Sequence, residues 1–216
     1  MKILLFANGD IEGGVMVHRA LSASGIEHVI AADGGARNAW FYARSVDTVI
    51  GDLDSLSPAY VQKLEADGTQ IIRHPMEKDE TDLELSLIYA AELGATWIRV
   101  VGAIGGRFDQ MLANVYLLGL PQLEEIDAAI VAGSQMIQLL RPDTHILHGS
   151  KGDTISLIPI SGDVTGISTS GLKYVLNNET LVFGPARGIS NVMEREQATV
   201  RFQSGLLLCI HTDGRA

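Results

Sequence analysis

Short apolar runs recur along the first 138 positions and alternate with stretches of helical periodicity, the pattern expected of βαβ units around a parallel sheet. The runs predict strands near residues 2–7, 28–32, 47–51, 69–73, 97–102 and 128–132. Three helices are expected between them, two with their own start and stop signals. Ser57-Pro58 reads as an N-cap followed by proline at the first helical position, with Gly68 closing the helix. Thr81-Asp82-Leu83-Glu84 is a capping box, and an apolar stripe through Leu83, Leu87, Ile88 and Ala91 follows it to Gly94. After Arg107, Phe108, Leu112, Val115 and Leu118 fall at helical spacing.

Beyond Arg141-Pro142-Asp143 the texture changes to β-branched residues, glycines and turn pairs, with no helical stretch. Thr154 to Ile160, Gly171 to Val175, Thr180 to Phe183, Thr199 to Phe202 and Leu206 to His211 read as strands. The expectation is an α/β protein, with a parallel-sheet, Rossmann-like domain over 1–138 and a small all-β, sandwich-like domain over 139–216. The boundary falls near residues 139–143. A β domain of that size is small for independent stability and should lean on the first domain or on a second subunit.

Composition narrows the partners. A chain of 216 residues with 46% hydrophobic content can fill a core, and the net charge of −10 argues against a nucleic-acid backbone, which is held mainly by lysine and arginine. An anionic ligand would need metal ions and locally placed cations. The apolar start, Met1 to Ala7, gives way at once to Asn8-Gly9-Asp10 and is too short for a signal peptide. No apolar run approaches the roughly 20 residues needed to span a bilayer. The single cysteine, Cys209, cannot form an internal disulfide, so a reducing cytoplasm is the simplest compartment.

The chemistry gathers where strands end. Val49-Ile50-Gly51-Asp52-Leu53-Asp54-Ser55 runs an apolar strand into two carboxylates, which extended chain would set on one face. Like charges that close ask for a divalent cation between them. Ala31-Ala32-Asp33-Gly34-Gly35 also ends an apolar run in an acid, and Lys78-Asp79-Glu80-Thr81-Asp82 gathers three more. Asn8 to Asp10, and Arg107 with Asp109, follow strands as well. In an open parallel sheet ligands bind outside the carboxyl ends of the strands, so these groups should converge on one edge as a metal and phosphate site. Gly102 to Arg107 adds a flexible turn into a helix, whose free amides suit a phosphate. Singly, each acid has a plainer reading: Asp33 and Asp54 as turn residues, Asp82 as a first-turn acid complementing the helix dipole. Neither G-x-G-x-x-G nor G-x-x-x-x-G-K-[ST] occurs in context, no G-x-S-x-G elbow is present, and the histidines show no zinc-ligand spacing.

Taken in order, Asn8-Gly9-Asp10, Ala32 to Ala36, Ile50 to Ser55, Lys78 to Asp82 and Gly105 to Gln110 resemble the motifs of thiamine pyrophosphokinases. Ser170 to Tyr174, Leu176 to Thr180 and Gly188 to Asn191 look like motifs of that family's β domain, so the resemblance covers nearly the whole chain. Val175, where bacterial members often have proline, and Val192-Met193 depart from it. The resemblance implies transfer of a diphosphoryl group from ATP to the hydroxyl of thiamine, giving thiamine diphosphate and AMP with Mg²⁺ as cofactor. It implies metal ligands among Asp52, Asp54 and Asp82, with Asp33 and Asp109 as second choices. Arg107 and Lys78 would neutralise phosphate charge, Thr81 would add a hydroxyl contact, and Asp54 or Asp82 would accept the alcohol's proton. Ser190 and Asn191 would hydrogen-bond the aminopyrimidine, and Leu172 and Leu176 would wall the pocket; on spacing alone Gly188 to Asn191 reads as a plain turn. The family also implies a homodimer, with thiamine bound between one subunit's nucleotide domain and its partner's β domain. A diphosphokinase for another hydroxymethyl acceptor, such as a pterin, and a non-catalytic sensor of nucleotide or thiamine are the rival readings.

Overall fold

The computed structural model describes residues 1–215 and divides into two compact units, one of residues 1–133 and one beginning at Ser134. The first is built from β1 (Lys2–Phe6), α1 (Val15–Leu21), β2 (Ile26–Ala32), α2 (Gly35–Phe41), β3 (Thr48–Gly51), α3 (Pro58–Ala66), β4 (Gln70–Arg73), α4 (Asp82–Glu92), β5 (Trp97–Val101), α5 (Phe108–Tyr116) and β6 (Asp127–Ala132). Its strands lie in the order β6-β5-β1-β2-β3-β4, and every pairing among them is parallel. β1 is central, and Ile3, Leu4, Leu5 and Phe6 are wholly buried on both faces of the pleat, which is why this strand reads as a continuous apolar run rather than an alternation. The chain moves outward from β1 through β2, β3 and β4, then returns to lay β5 on the other side of β1. That reversal opens a crevice at the carboxyl ends of β1 and β5.

Local signals set the helix starts. Ser57 caps α3, its hydroxyl accepting from the Tyr60 N–H at 3.3 Å, with Pro58 at the first position. Thr81 caps α4 by accepting from the Glu84 N–H at 3.1 Å. The buried face of α4 is Leu83, Ser86, Leu87 and Ala90, one step round from the expected stripe, and Ile88 and Ala91 are half-buried. α5 departs further. Phe108 is 72% and Leu112 43% exposed, because the helix turns Gln110, Met111 and Asn114 towards the crevice instead; Leu118 is buried, but in a 3-10 turn after the helix.

The second unit contains β7 (Gln135–Leu140), β8 (Thr144–His148), β9 (Thr154–Pro159), β10 (Val164–Ser170), β11 (Glu179–Leu181), β12 (Asn191–Val192), β13 (Gln197–Arg201) and β14 (Leu207–Thr212). Two antiparallel arrays, β12-β9-β14-β7 and β11-β10-β13-β8, contribute to one core through Ile155, Leu157, Val200 and Cys209 among others. Gly171 to Val175 is not a strand. Leu172 makes an isolated bridge to Met193, and the Asn191 side chain takes the backbone bonds of Tyr174 that a neighbouring strand would otherwise satisfy. Among the described residues no helix is long and apolar enough to cross a membrane.

Candidate active site

Register brings the ends of β2, β3 and β4 level, with Ala32 opposite Ile50 and Gly51 opposite Arg73. Asp33 follows β2 in the left-handed region at φ 44°, its N–H donating to Ile50 O at 2.8 Å. Asp82 opens α4. Between them sits Gly51, where a Cβ would come within 3.0 Å of the Asp33 Cβ and 3.1 Å of the Asp82 Cγ, so glycine is what lets the carboxylates close in. One oxygen from each of Asp33, Asp52 and Asp82 lies within 4.8 Å of the others.

Asp54 sits beside this triad rather than in it. Leu53 at φ 64° breaks the extended geometry, and the Asp54 N–H folds back to donate to Asp52 Oδ1 at 3.1 Å. Asp54 is exposed, and its pKa is raised, first by the charge of Asp52 and then by partial desolvation and the charges of Asp33 and Asp82. Lys78 supplies the nearest cation, its Nζ donating to Asp82 Oδ1 at 2.7 Å and to Pro75 O at 3.3 Å. Asp33 Oδ1 is buried and has no hydrogen-bond partner among the described residues.

The facing wall is made of backbone. Gly9 N–H donates to Gly102 O at 2.7 Å, joining the loops after β1 and β5, and Gly106 N–H donates to Asp10 Oδ2 at 2.9 Å. Two side-chain amides hold these loops: Asn38 donates to Ala7 O at 2.7 Å and Gly9 O at 2.9 Å, and Asn114, from the cleft side, to Ala103 O at 2.7 Å. The cleft so formed has a volume of about 620 Å³ and is lined by the triad, Lys78, Thr81 and Arg107 among others. Arg107 grips Asp109 through two bonds of 3.2 and 2.5 Å, and that guanidinium holds the exposed Asp109 carboxyl below its ordinary pKa. Asp109 is not among the cleft-lining residues.

Apart from Ala7 to Asp10, the residues lining this cleft lie within the stretch matched by a family model. "Thiamin pyrophosphokinase, catalytic domain" matches residues 21–130, and "Thiamin pyrophosphokinase, vitamin B1 binding domain" matches residues 143–207. The chain belongs to the thiamine pyrophosphokinase family. Thiamine pyrophosphokinase of Bacillus subtilis (strain 168) is 31% identical over 163 residues, covering 75% of this chain and 76% of that protein. Thiamine pyrophosphokinase 1 of Arabidopsis thaliana is 30% identical over 174 residues, covering 76% of this chain and 64% of that protein. The crystal structure of the Bacillus subtilis enzyme superposes with a TM-score of 0.87 at 26% identity over 99% of both chains. A family protein from Enterococcus faecalis, at 22% identity, shares the fold with a TM-score of 0.85 over the whole of both chains.

In the second unit the segments Ser170 to Tyr174, Leu176 to Thr180 and Gly188 to Asn191 are largely irregular, touching strands at Ser170 in β10, Glu179 and Thr180 in β11 and Asn191 in β12. Leu172 is buried, and Leu176 packs against the core half-buried. Ser190 is exposed at φ 55°, its N–H donating to Ser156 Oγ at 3.1 Å. Asn191 is buried; its Oδ1 accepts from Tyr174 N–H and Val192 N–H, both at 2.9 Å, and its Nδ2 donates to Tyr174 O at 2.7 Å. One of its two amide hydrogens is left for another acceptor.

The sequence reading passes over Asn38 and Asn114. Neither carries a distinctive local signal: Asn38 stands beside Arg37 between two alanines, and for Asn114 there is only its helical spacing from Gln110.

Proposed function

We propose that this enzyme transfers the diphosphoryl group of ATP to the hydroxyl of thiamine, giving thiamine diphosphate and AMP in an Mg²⁺-dependent reaction. The observation that carries this reading is the Asp33, Asp52 and Asp82 triad in a cleft at the carboxyl ends of parallel strands. The donor set fits Mg²⁺: three carboxylates suit a hard cation, and the unpartnered Asp33 Oδ1 is an acceptor awaiting a positive charge. Asp33, Asp52 and Asp82 would hold the ion. When bound, it would offset the negative charge of the triphosphate against the acids.

The chain's own residues supply the rest. Lys78 and Arg107 face the cleft and neutralise phosphate oxygens, and the Gly102–Gly105 backbone along the same wall adds amides suited to them. The thiamine hydroxyl oxygen bonds to the β-phosphorus, the bond from that phosphorus to the α,β-bridging oxygen breaks, and AMP leaves with that oxygen. Asp54 is our candidate to accept the hydroxyl proton, because its carboxylate is exposed beside Asp52 at the edge of the triad. Thr81 keeps its hydroxyl hydrogen to donate, since its oxygen already accepts from Glu84. In the second unit, Ser190, the spare Asn191 amide hydrogen, Leu172 and Leu176 are our candidates for thiamine contacts. We further propose a homodimer, in which thiamine sits between one subunit's catalytic domain and its partner's β domain, and a cytoplasmic location.

Asp52→Asn tests the reading against a sensor that binds without turnover. Thiamine binding by calorimetry should survive while turnover disappears; unchanged turnover would remove Asp52 from the catalytic machinery.

A further inference from the structure

Helix α2 starts unusually close to the end of β1. A Cβ at Gly35 would lie 2.0 Å from Phe6 O, and one at Gly34 would lie 2.4 Å from Asn8 Oδ1. This approach carries the first turn of α2, buried except for Arg37, up to two loops at once. Arg37 Nη1 donates to Ser55 O at 2.9 Å, and Nη2 donates to Asn8 Oδ1 at 3.3 Å. Tyr60, from α3, closes the same corner by donating to Ala36 O at 3.1 Å. Ser55 directly follows Asp54, and the turn that carries both acids bends through Leu53 in the left-handed region. The loop's own bonds are Asp54 N–H to Asp52 Oδ1 and Leu56 N–H to Leu53 O. Neither ties it to another element.

We infer that Arg37 is a positioning residue, whose planar guanidinium clamps the Asp52–Ser55 turn to Asn8 and so sets the spacing of the carboxylates that receive the divalent cation. The inference rests on the metal reading of the site proposed above. Two donors of one rigid fork reach acceptors on two loops, which an alkylammonium on a flexible stem cannot reproduce. Both guanidinium bonds of Arg37 go to the loops themselves, to Ser55 O and Asn8 Oδ1, so it acts through the turn. Its exposure means that removal should cost little stability.

The test is Mn²⁺ binding to the nucleotide-free protein, read by electron paramagnetic resonance, for wild type, Arg37→Ala and Arg37→Lys. Turnover against Mg²⁺, the KM for thiamine and thermal melting are measured beside it. Arg37→Ala should bind Mn²⁺ about tenfold more weakly, as for loss of a group that supports metal ligands. The Mg²⁺ needed for half-maximal turnover should rise in step, with the thiamine KM and the melting temperature near wild type. Arg37→Lys should recover part of the loss, through Ser55 alone. Mn²⁺ affinity equal to wild type in Arg37→Ala overturns the inference, as does a general fall in melting and in both substrate and metal parameters. A wild type that binds no Mn²⁺ instead overturns the metal reading beneath it.

Discussion

Asp33→Asn removes one of three negative charges from a confined space while leaving the side chain's shape almost intact. With oxygens within 4.8 Å, two unit charges at an effective dielectric of about 20 repel by about 3 kcal/mol. Asp52 and Asp82 are only half-buried, and Lys78 sits 2.7 Å from Asp82, so solvent and that cation reduce the relief to about 1–2 kcal/mol. The new amide also acquires donors that can reach the neighbouring carboxylates, where Asp33 Oδ1 had no partner. In the presence of a chelator the variant should therefore melt higher than wild type, by roughly 2–8 °C for a chain of this size. The same substitution should cost turnover on the order of a hundredfold, because charge stabilisation at the phosphates is lost. Scanning fluorimetry in EDTA and in Mg²⁺, with turnover measured on the same preparations, reads both effects. A variant that melts lower than wild type in EDTA while keeping wild-type turnover would refute both the repulsion and the metal reading of Asp33.

Gly51→Ala should lose about 2–4 kcal/mol in urea unfolding, since its Cβ would press on Asp33 and Asp82 at 3.0 and 3.1 Å from a backbone at φ 154°; an unchanged midpoint would show that the acids can spread. In the second unit, burial raises the pKa of Asp153, but N–H groups of Gly214 and Ser150 and the His211 ring outweigh it, so the folded pKa lies below the ordinary value. Its contribution to stability is then complete above the unfolded pKa of about 4 and is lost as pH falls through the folded value. Asp153→Asn should accordingly be destabilised at pH 7 and lose that part of the acid-limb dependence, checked by urea unfolding at pH 7 and pH 3. Cys209 is fully buried and its thiol is pushed up to about 12, so a thiol reagent at pH 8 should label the unfolded chain and leave the native one unmodified.

The parallel sheet is legible because buried strands such as Ile3–Phe6 in β1 and Val29–Ala32 in β2 stand out as continuous apolar runs ahead of turn residues. β7, β8 and β10 are not, because sequences such as Gln135–Leu140 and Thr144–His148 mix exposed polar with half-buried positions and so lack a clean alternation. Helix α2 is hidden by Gly34-Gly35, which reads as a turn yet allows the helix to start against Phe6. For the cleft, acids at strand ends are visible in the sequence, but which carboxylates share one space is not. Spacing two residues apart suggests that Asp52 and Asp54 are cofacial on an extended strand; the left-handed Leu53 makes a turn instead, in which Asp54 stays next to Asp52, while Asp33, from a different strand, joins Asp52 and Asp82. Arg37, Asn38 and Asn114 hold backbone carbonyls or a side-chain amide of other loops, contacts that no local pattern announces.

The most direct measurement incubates the purified protein with thiamine, ATP and Mg²⁺, with and without a chelator, and resolves the nucleotides and thiamine phosphates by chromatography. Equal amounts of AMP and thiamine diphosphate, abolished by the chelator, are the predicted result. ADP with thiamine monophosphate, or no turnover from a folded protein, would contradict diphosphoryl transfer from ATP at this site.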